Sequence, residues 1–186
     1  MTERESRPAL SMDRLDVIAP GAFASAVAPL FEGARGFLGR LAMARPFGSV
    51  DALFERAREI AQAMPLDEQL ELIDAHPRLG APRDGVSALS FGEQGYGGAG
   101  TERTPEAAGA HVGAELDRLN LAYEARFGFR YCVFVAGRSR AELLPGMTAA
   151  LEADRDTEIA RALDAVIDIA RDRYATLTAA PAEDPA

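Results

Sequence analysis

Residues 76–80 read His76-Pro77-Arg78-Leu79-Gly80, and fourteen positions after His76 comes Ser90, opening Ser90-Phe91-Gly92-Glu93-Gln94. The chain holds two histidines, and this one stands in a segment punctuated by Pro77, Gly80 and Pro82. Proline fixes φ and removes a backbone donor, and glycine permits conformations that other residues avoid. The imidazole is therefore expected in a rigid turn rather than mid-helix. Imidazole is the side chain whose unperturbed pKa lies nearest physiological pH, which makes it the default proton-transfer group. A serine, a carboxylate and an amide follow at a spacing that could bring all three beside it. Arg138 adds a cation, following an apolar run and preceding the capping box Ser139-Arg140-Ala141-Glu142. Read blandly, it is a surface arginine. A helix N-terminus is electrostatically poor for a cation, however, so its placement also points to anion binding shared with that helix end.

Other chemistries fit less well. Gly95-Tyr96-Gly97-Gly98-Ala99-Gly100 satisfies G-x-G-x-x-G, but no strand precedes it and no parallel βαβ unit surrounds it, so it reads as a loop. Ser90, His76 and Glu93 could form a hydrolytic triad, yet no G-x-S-x-G elbow is present and the fold does not read as α/β. Two histidines 35 positions apart and the single Cys132 give no zinc spacing, and no EF-hand pattern occurs. No metal is expected. His111 falls one position off the apolar stripe of its helix and reads as solvated, and Glu124 and Arg126 read as a solvated face.

The elements that must position these residues are helical. A helix is expected after Pro20-Gly21, carrying Phe23, Val27, Leu30 and Phe31, and another from near Phe37 to Ala44. Ser49 can cap a third, in which Leu53, Ala57, Ile60 and Met64 recur at helical spacing. Pro65-Leu66-Asp67 restarts a short helix that ends at the His76 turn. Residues 77–104 are rich in Gly and Pro, with a helical turn or two around Ser87 to Gln94. Thr104-Pro105-Glu106 looks like a helix start, Val112, Leu116, Leu119, Tyr123 and Phe127 form its stripe, and Gly128 can stop it. Tyr131 to Ala136 is apolar and β-branched, but a lone strand has no partner. It reads as a buried extended or short helical segment. Helices to about Ala153 and from about Asp156 to Leu177 complete the chain. The expectation is a single all-α domain of seven to eight helices over residues 13–177, between disordered tails at 1–12 and 178–186.

A chain of 186 residues fits one domain with a substantial core. The net charge of −9 argues against a general nucleic-acid or anionic-membrane binder, which needs basic patches. No run of about 18 apolar residues suggests a transmembrane helix. The first twelve residues carry Glu3 and Glu5 and no apolar h-region, unlike a secretory signal. One cysteine forms no intrachain disulfide framework. A cytoplasmic protein is expected.

Taken in order, His76-Pro77-Arg78-Leu79-Gly80, Ser90-x-x-Glu93-Gln94, Tyr123-Glu124-Ala125-Arg126-Phe127-Gly128-Phe129 and Gly137-Arg138-Ser139, with the upstream Arg45-Pro46-Phe47, resemble the ureidoimidazoline decarboxylases of uric acid degradation, the OHCU decarboxylases. The resemblance runs from about residue 20 to 175. It implies an all-α, cofactor-free, commonly dimeric carboxy-lyase that converts 2-oxo-4-hydroxy-4-carboxy-5-ureidoimidazoline to (S)-allantoin. By motif match, His76 carries over as the catalytic acid/base, with Glu93 and Arg138 as catalytic partners. Ser90, Gln94, Phe129 and Pro77 carry over to the substrate pocket. The family usually has proline where Arg130 stands. A relative with altered walls could act as a lyase or hydrolase on another ureido or cyclic amide compound, and a non-catalytic helical relative is the remaining alternative.

Overall fold

The computed structural model describes residues 10–81, 87, 89 and 106–179. Among these, the elements in chain order are α1 (Met12–Leu15), α2 (Pro20–Val27), a 3₁₀ turn (Ala28–Phe31), α3 (Arg35–Met43), α4 (Val50–Ala63), α5 (Leu66–Asp74), α6 (Glu106–Phe127), α7 (Arg140–Ala150) and α8 (Arg155–Thr178). The described residues contain no strand, and the fold is all-α. None of their helices is long and apolar enough to cross a membrane.

The helix borders follow local chemistry. Ser49 accepts from the Ala52 amide at 3.1 Å and Asp154 from the Thr157 amide at 2.9 Å, each satisfying a donor the first turn leaves free. Ser139 and Glu142 form the expected capping box. Gly128 ends α6 at φ +79°, a conformation that glycine adopts without strain. The helix expected to run continuously through Leu30 instead tightens into the 3₁₀ turn. Pro29 supplies no amide to continue the α pattern. At the N-terminal boundary, Leu10 is buried and its carbonyl accepts from the Tyr174 hydroxyl at 2.5 Å, so residues 10–12 join the packed domain. The rest of that expected tail, and 180–186, lie outside the described residues.

Helix α8 organises the core. Ile159, Leu163, Val166 and Ala170 recur at four- and three-residue steps and are all buried. Each fully buried Leu or Ile contributes roughly 1.5–3 kcal/mol relative to exposure. The helix packs against α4, α5 and the 3₁₀ turn, while α3 packs on α2, α4 and α5, and α7 on α6. The Arg45-Pro46-Phe47 motif serves this scaffold. Arg45 Nη1 donates to the carbonyls of Leu15 and Ile18, and the Phe47 and Gly48 amides donate to the Asp16 carboxylate. The motif thereby locks α1 and its exit onto the end of α3.

Residues 131–135 form neither helix nor strand, which excludes the short helical alternative. Tyr131, Cys132 and Val135 are buried. The stretch ends in a turn in which Ala136 (φ +51°) and Gly137 (φ +74°) are both left-handed and the Arg138 amide donates to the Val135 carbonyl at 3.0 Å.

Candidate active site

Three parts of the chain enclose one cavity of about 280 Å³: His76, Pro77 and Leu79 from the turn after α5, residues 131–137, and Ile169, Asp172 and Arg173 from α8. Each residue of the His-Pro-Arg-Leu-Gly motif has a separate physical task. Pro77 lacks an amide and disfavours helical backbone at the residue before it, so α5 stops short of His76. Arg78 forms a two-point pair with Glu124 of α6, Nε to Oε1 at 2.6 Å and Nη2 to Oε2. Glu124 is therefore part of the turn's anchorage rather than of a solvated face. Leu79 is buried, and its carbonyl accepts from Asn120 Nδ2 at 2.9 Å. Gly80 has φ +85°, and a Cβ there would stand 2.5 Å from Leu116 Cδ2. Only glycine fits both the backbone conformation and the packing.

His76 is 4% exposed. Its Nδ1 lies 3.3 Å from the Leu72 carbonyl, and Nε2 is buried without a hydrogen-bond partner among the described residues. A carbonyl can only accept, so the contact assigns the proton to Nδ1 and leaves a lone pair on Nε2. Burial pushes the imidazole down from 6.5 to about 4, the Arg173 guanidinium adds to the lowering, and Glu32 opposes it. At neutral pH the ring is an uncharged base with one open acceptor.

Arg173 is the cation of the cavity and the residue that sequence reasoning missed. It is 1% exposed. Nη1 donates to the Pro29 carbonyl at 3.1 Å and the Leu30 carbonyl at 3.3 Å, and Nη2 to Glu32 Oε1 at 2.8 Å. The Ser87 hydroxyl donates to the same Glu32 oxygen at 2.9 Å. The signal was present in the periodicity: Ala162, Val166, Ile169 and Arg173 fall at steps of four, three and four, which places an arginine on an apolar face. Such a position demands buried partners, and here they come from the 3₁₀ turn and its exit.

The remaining predicted residues divide. Pro77 lines the cavity. Arg138 is exposed and is not among the lining residues. Its Nε donates to the Val135 carbonyl at 3.0 Å and Nη2 to the Phe134 carbonyl, so it braces the wall from outside. These carbonyls also answer the electrostatic objection to a cation at the start of α7. Phe129 is buried behind the wall, edge-on to Tyr123 with ring centroids 5.5 Å apart. Ser90, Glu93 and Gln94, the helical turn expected near them and the Gly95–Gly100 loop lie outside the described residues, Leu89 apart, which is helical. His111 is exposed, as its position off the stripe implies. Among the described residues no three His, Cys, Asp or Glu side chains group as a metal would require.

A buried polar network supports the second wall. Tyr123 donates to Glu158 Oε2 at 2.7 Å, Arg161 Nε donates to the same oxygen at 2.8 Å, and Arg161 Nη1 donates to the Cys132 carbonyl at 2.9 Å. The Arg161 guanidinium also lies over the Tyr131 ring at 4.6 Å from its centroid. Burial and the hydrogen bond to Glu158 push the Tyr123 hydroxyl far above its ordinary value, which keeps it neutral.

The pattern of the OHCU decarboxylase family matches residues 17–175. The chain is 32% identical over 167 residues to the uric acid degradation bifunctional protein PucL of Bacillus subtilis, covering 90% of this chain and 32% of that one. It thus spans about a third of that relative's length. It is 31% identical over 156 residues to the 2-oxo-4-hydroxy-4-carboxy-5-ureidoimidazoline decarboxylase of Halalkalicoccus jeotgali, covering 84% of this chain and 85% of that one. The fold matches a crystal structure of OHCU decarboxylase in the presence of (S)-allantoin, with a TM-score of 0.64 and 24% identity over 81% of this chain and 95% of that one. With the family pattern spanning most of its length, and a relative above 30% identity matched along most of both sequences, the chain belongs to the OHCU decarboxylase family of decarboxylating lyases.

Proposed function

We propose that the protein decarboxylates 2-oxo-4-hydroxy-4-carboxy-5-ureidoimidazoline to (S)-allantoin in uric acid degradation, without a metal or organic cofactor. The observation that carries this reading is the neutral His76 with its open Nε2, on a cavity whose other wall holds the buried cation Arg173. The substrate bears a carboxylate and a hydroxyl on one ring carbon. Arg173, held in place by Glu32, offers that carboxylate a guanidinium in a site of low dielectric. The bond to the carboxylate breaks, carbon dioxide leaves, and the electron pair enters the ring's conjugated system. His76 Nε2 accepts the hydroxyl proton and returns it to the neighbouring ring carbon from one face, which sets the hand of the product, and a proton from water neutralises the ring nitrogen that received the electron pair. With a net charge of −9 the protein gives an anion no global steering, so local cations must hold it.

Ser90, Glu93 and Gln94 enter on the family resemblance, as partners for the ureido and lactam edges. Pro77 shapes the floor. In this reading Arg138 and Phe129 act through the wall, holding residues 131–135 against the substrate. The proposal includes a homodimer and a cytoplasmic location, both taken from the resemblance. Sedimentation velocity tests the first and fractionation the second.

The test is a coupled assay. Urate oxidase and hydroxyisourate hydrolase generate the ureidoimidazoline in situ, and its decay and the circular dichroism of the allantoin are followed. The expected result is fast decay to optically active product, lost in His76→Asn and reduced at least tenfold in Arg173→Met. Slow decay to racemic product with the wild type would sink the proposal and point to another ureido or cyclic amide substrate.

A further inference from the structure

We infer that Arg130 is a positioning residue that ties the two walls of the His76 cavity together at the end of α5. The inference rests on the decarboxylase reading of that cavity. A helix leaves its last carbonyls without intrahelical partners, and α5 ends immediately before the catalytic turn. Their donors can be followed one by one. The Leu72 carbonyl faces His76 Nδ1, and the Ile73 carbonyl takes the His76 amide at 3.1 Å. The Asp74 and His76 carbonyls both accept from Arg130 Nη1, at 2.8 and 3.1 Å. One nitrogen with two N–H groups thus bridges the end of the helix and the catalytic residue's own backbone. The Arg130 amide completes the clasp by donating to Asp74 Oδ1 at 2.8 Å.

The position along the chain gives this clasp its consequence. Arg130 directly precedes Tyr131, the first residue of the second wall. Its side chain grips the first wall while its backbone begins the other. Among the described residues the imidazole makes one hydrogen-bonding contact, at 3.3 Å, so its direction leans on the backbone from which it springs. Arg130 is exposed and does not line the cavity, so it is no substrate ligand. A cation at a helix C-terminus is electrostatically favourable, and the released carbonyls could turn to water. Removing the guanidinium should therefore disturb geometry more than stability.

The test uses the full chain in a His111→Asn background, which leaves one imidazole to observe. Arg130→Met keeps an unbranched stem without donors, and Arg130→Lys restores a cation able to reach at least one carbonyl. His76 is titrated by ¹H–¹³C NMR without substrate, and kcat and KM are measured in the coupled assay well below the unfolding temperature. In the parent, Arg173 and Glu32 are the charged groups that act on the ring, which titrates at about 4. In Arg130→Met the turn opens, water reaches the ring, and His76 moves upward toward 6.5. There kcat falls about tenfold or more while KM changes less than threefold, and Arg130→Lys recovers most of kcat. A lowered Tm with kcat and the His76 titration unchanged would overturn the inference and leave Arg130 a structural residue. If the parent lacks decarboxylase activity, the functional reading fails alone, and the His76 titration still decides the clasp.

Discussion

The buried imidazole makes folding and catalysis respond to acid in a calculable way. His76 titrates at about 4 in the folded protein and at 6.5 as an ordinary imidazole. Between those values the unfolded chain binds a proton that the folded protein refuses, so stability rises with pH. The contribution is fully present above 6.5 and is lost as pH falls toward 4. With those two values the loss is about 2 kcal/mol at pH 5 and approaches about 3 kcal/mol below pH 4. The perturbation is His76→Asn, which cannot titrate. Any constant packing defect of the variant drops out when the pH dependence alone is compared. Urea denaturation of both proteins from pH 4.5 to 8 gives the difference curve, in which carboxylates common to both cancel. The wild type should lose about 2 kcal/mol relative to the variant between pH 7.5 and pH 5. In parallel, kcat/KM of the wild type should show no acid limb near 6.5, because the free enzyme's base stays unprotonated there. A flat difference curve would refute the burial argument.

Three other perturbations probe the supports of the site. Gly80→Ala forces a left-handed backbone on alanine and drives its Cβ into Leu116, so urea denaturation should show a loss of about 2–3 kcal/mol; unchanged stability would contradict the geometry. Arg161→Met removes one donor from the buried Glu158 carboxylate, which keeps the Tyr123 hydroxyl, and one donor from the Cys132 carbonyl. A loss of about 3 kcal/mol, recovered in part by adding Glu158→Gln, is expected from a double-mutant cycle. Ser139→Ala removes the capping box of α7 and should lower stability by about 1 kcal/mol in the same assay, with KM raised because the bracing residue Arg138 is its neighbour.

Short-range chemistry sets the helices and the turn between them. Ser49, Ser139 and Gly128 mark borders through short-range hydrogen bonds and backbone freedom, and such effects are complete within four residues of chain. The apolar stripes of α6 and α8 identify most of the buried faces for the same reason. The His-Pro-Arg-Leu-Gly segment was legible as a turn because proline and glycine act locally. The cation that faces His76 was not legible. Arg138 stood out by its position relative to a helix end, whereas Arg173 lies 97 positions from His76 on a helix that reads as core. Pro29, Leu30 and Glu32 bring acceptors to it from the far end of the chain, and they make its burial tolerable. Nor could the sequence say that Glu124 pairs with Arg78, or that Arg130 turns its guanidinium onto α5 rather than into the cavity. A buried charge is placed by partners distant in the chain, and which partners arrive depends on how the helices pack.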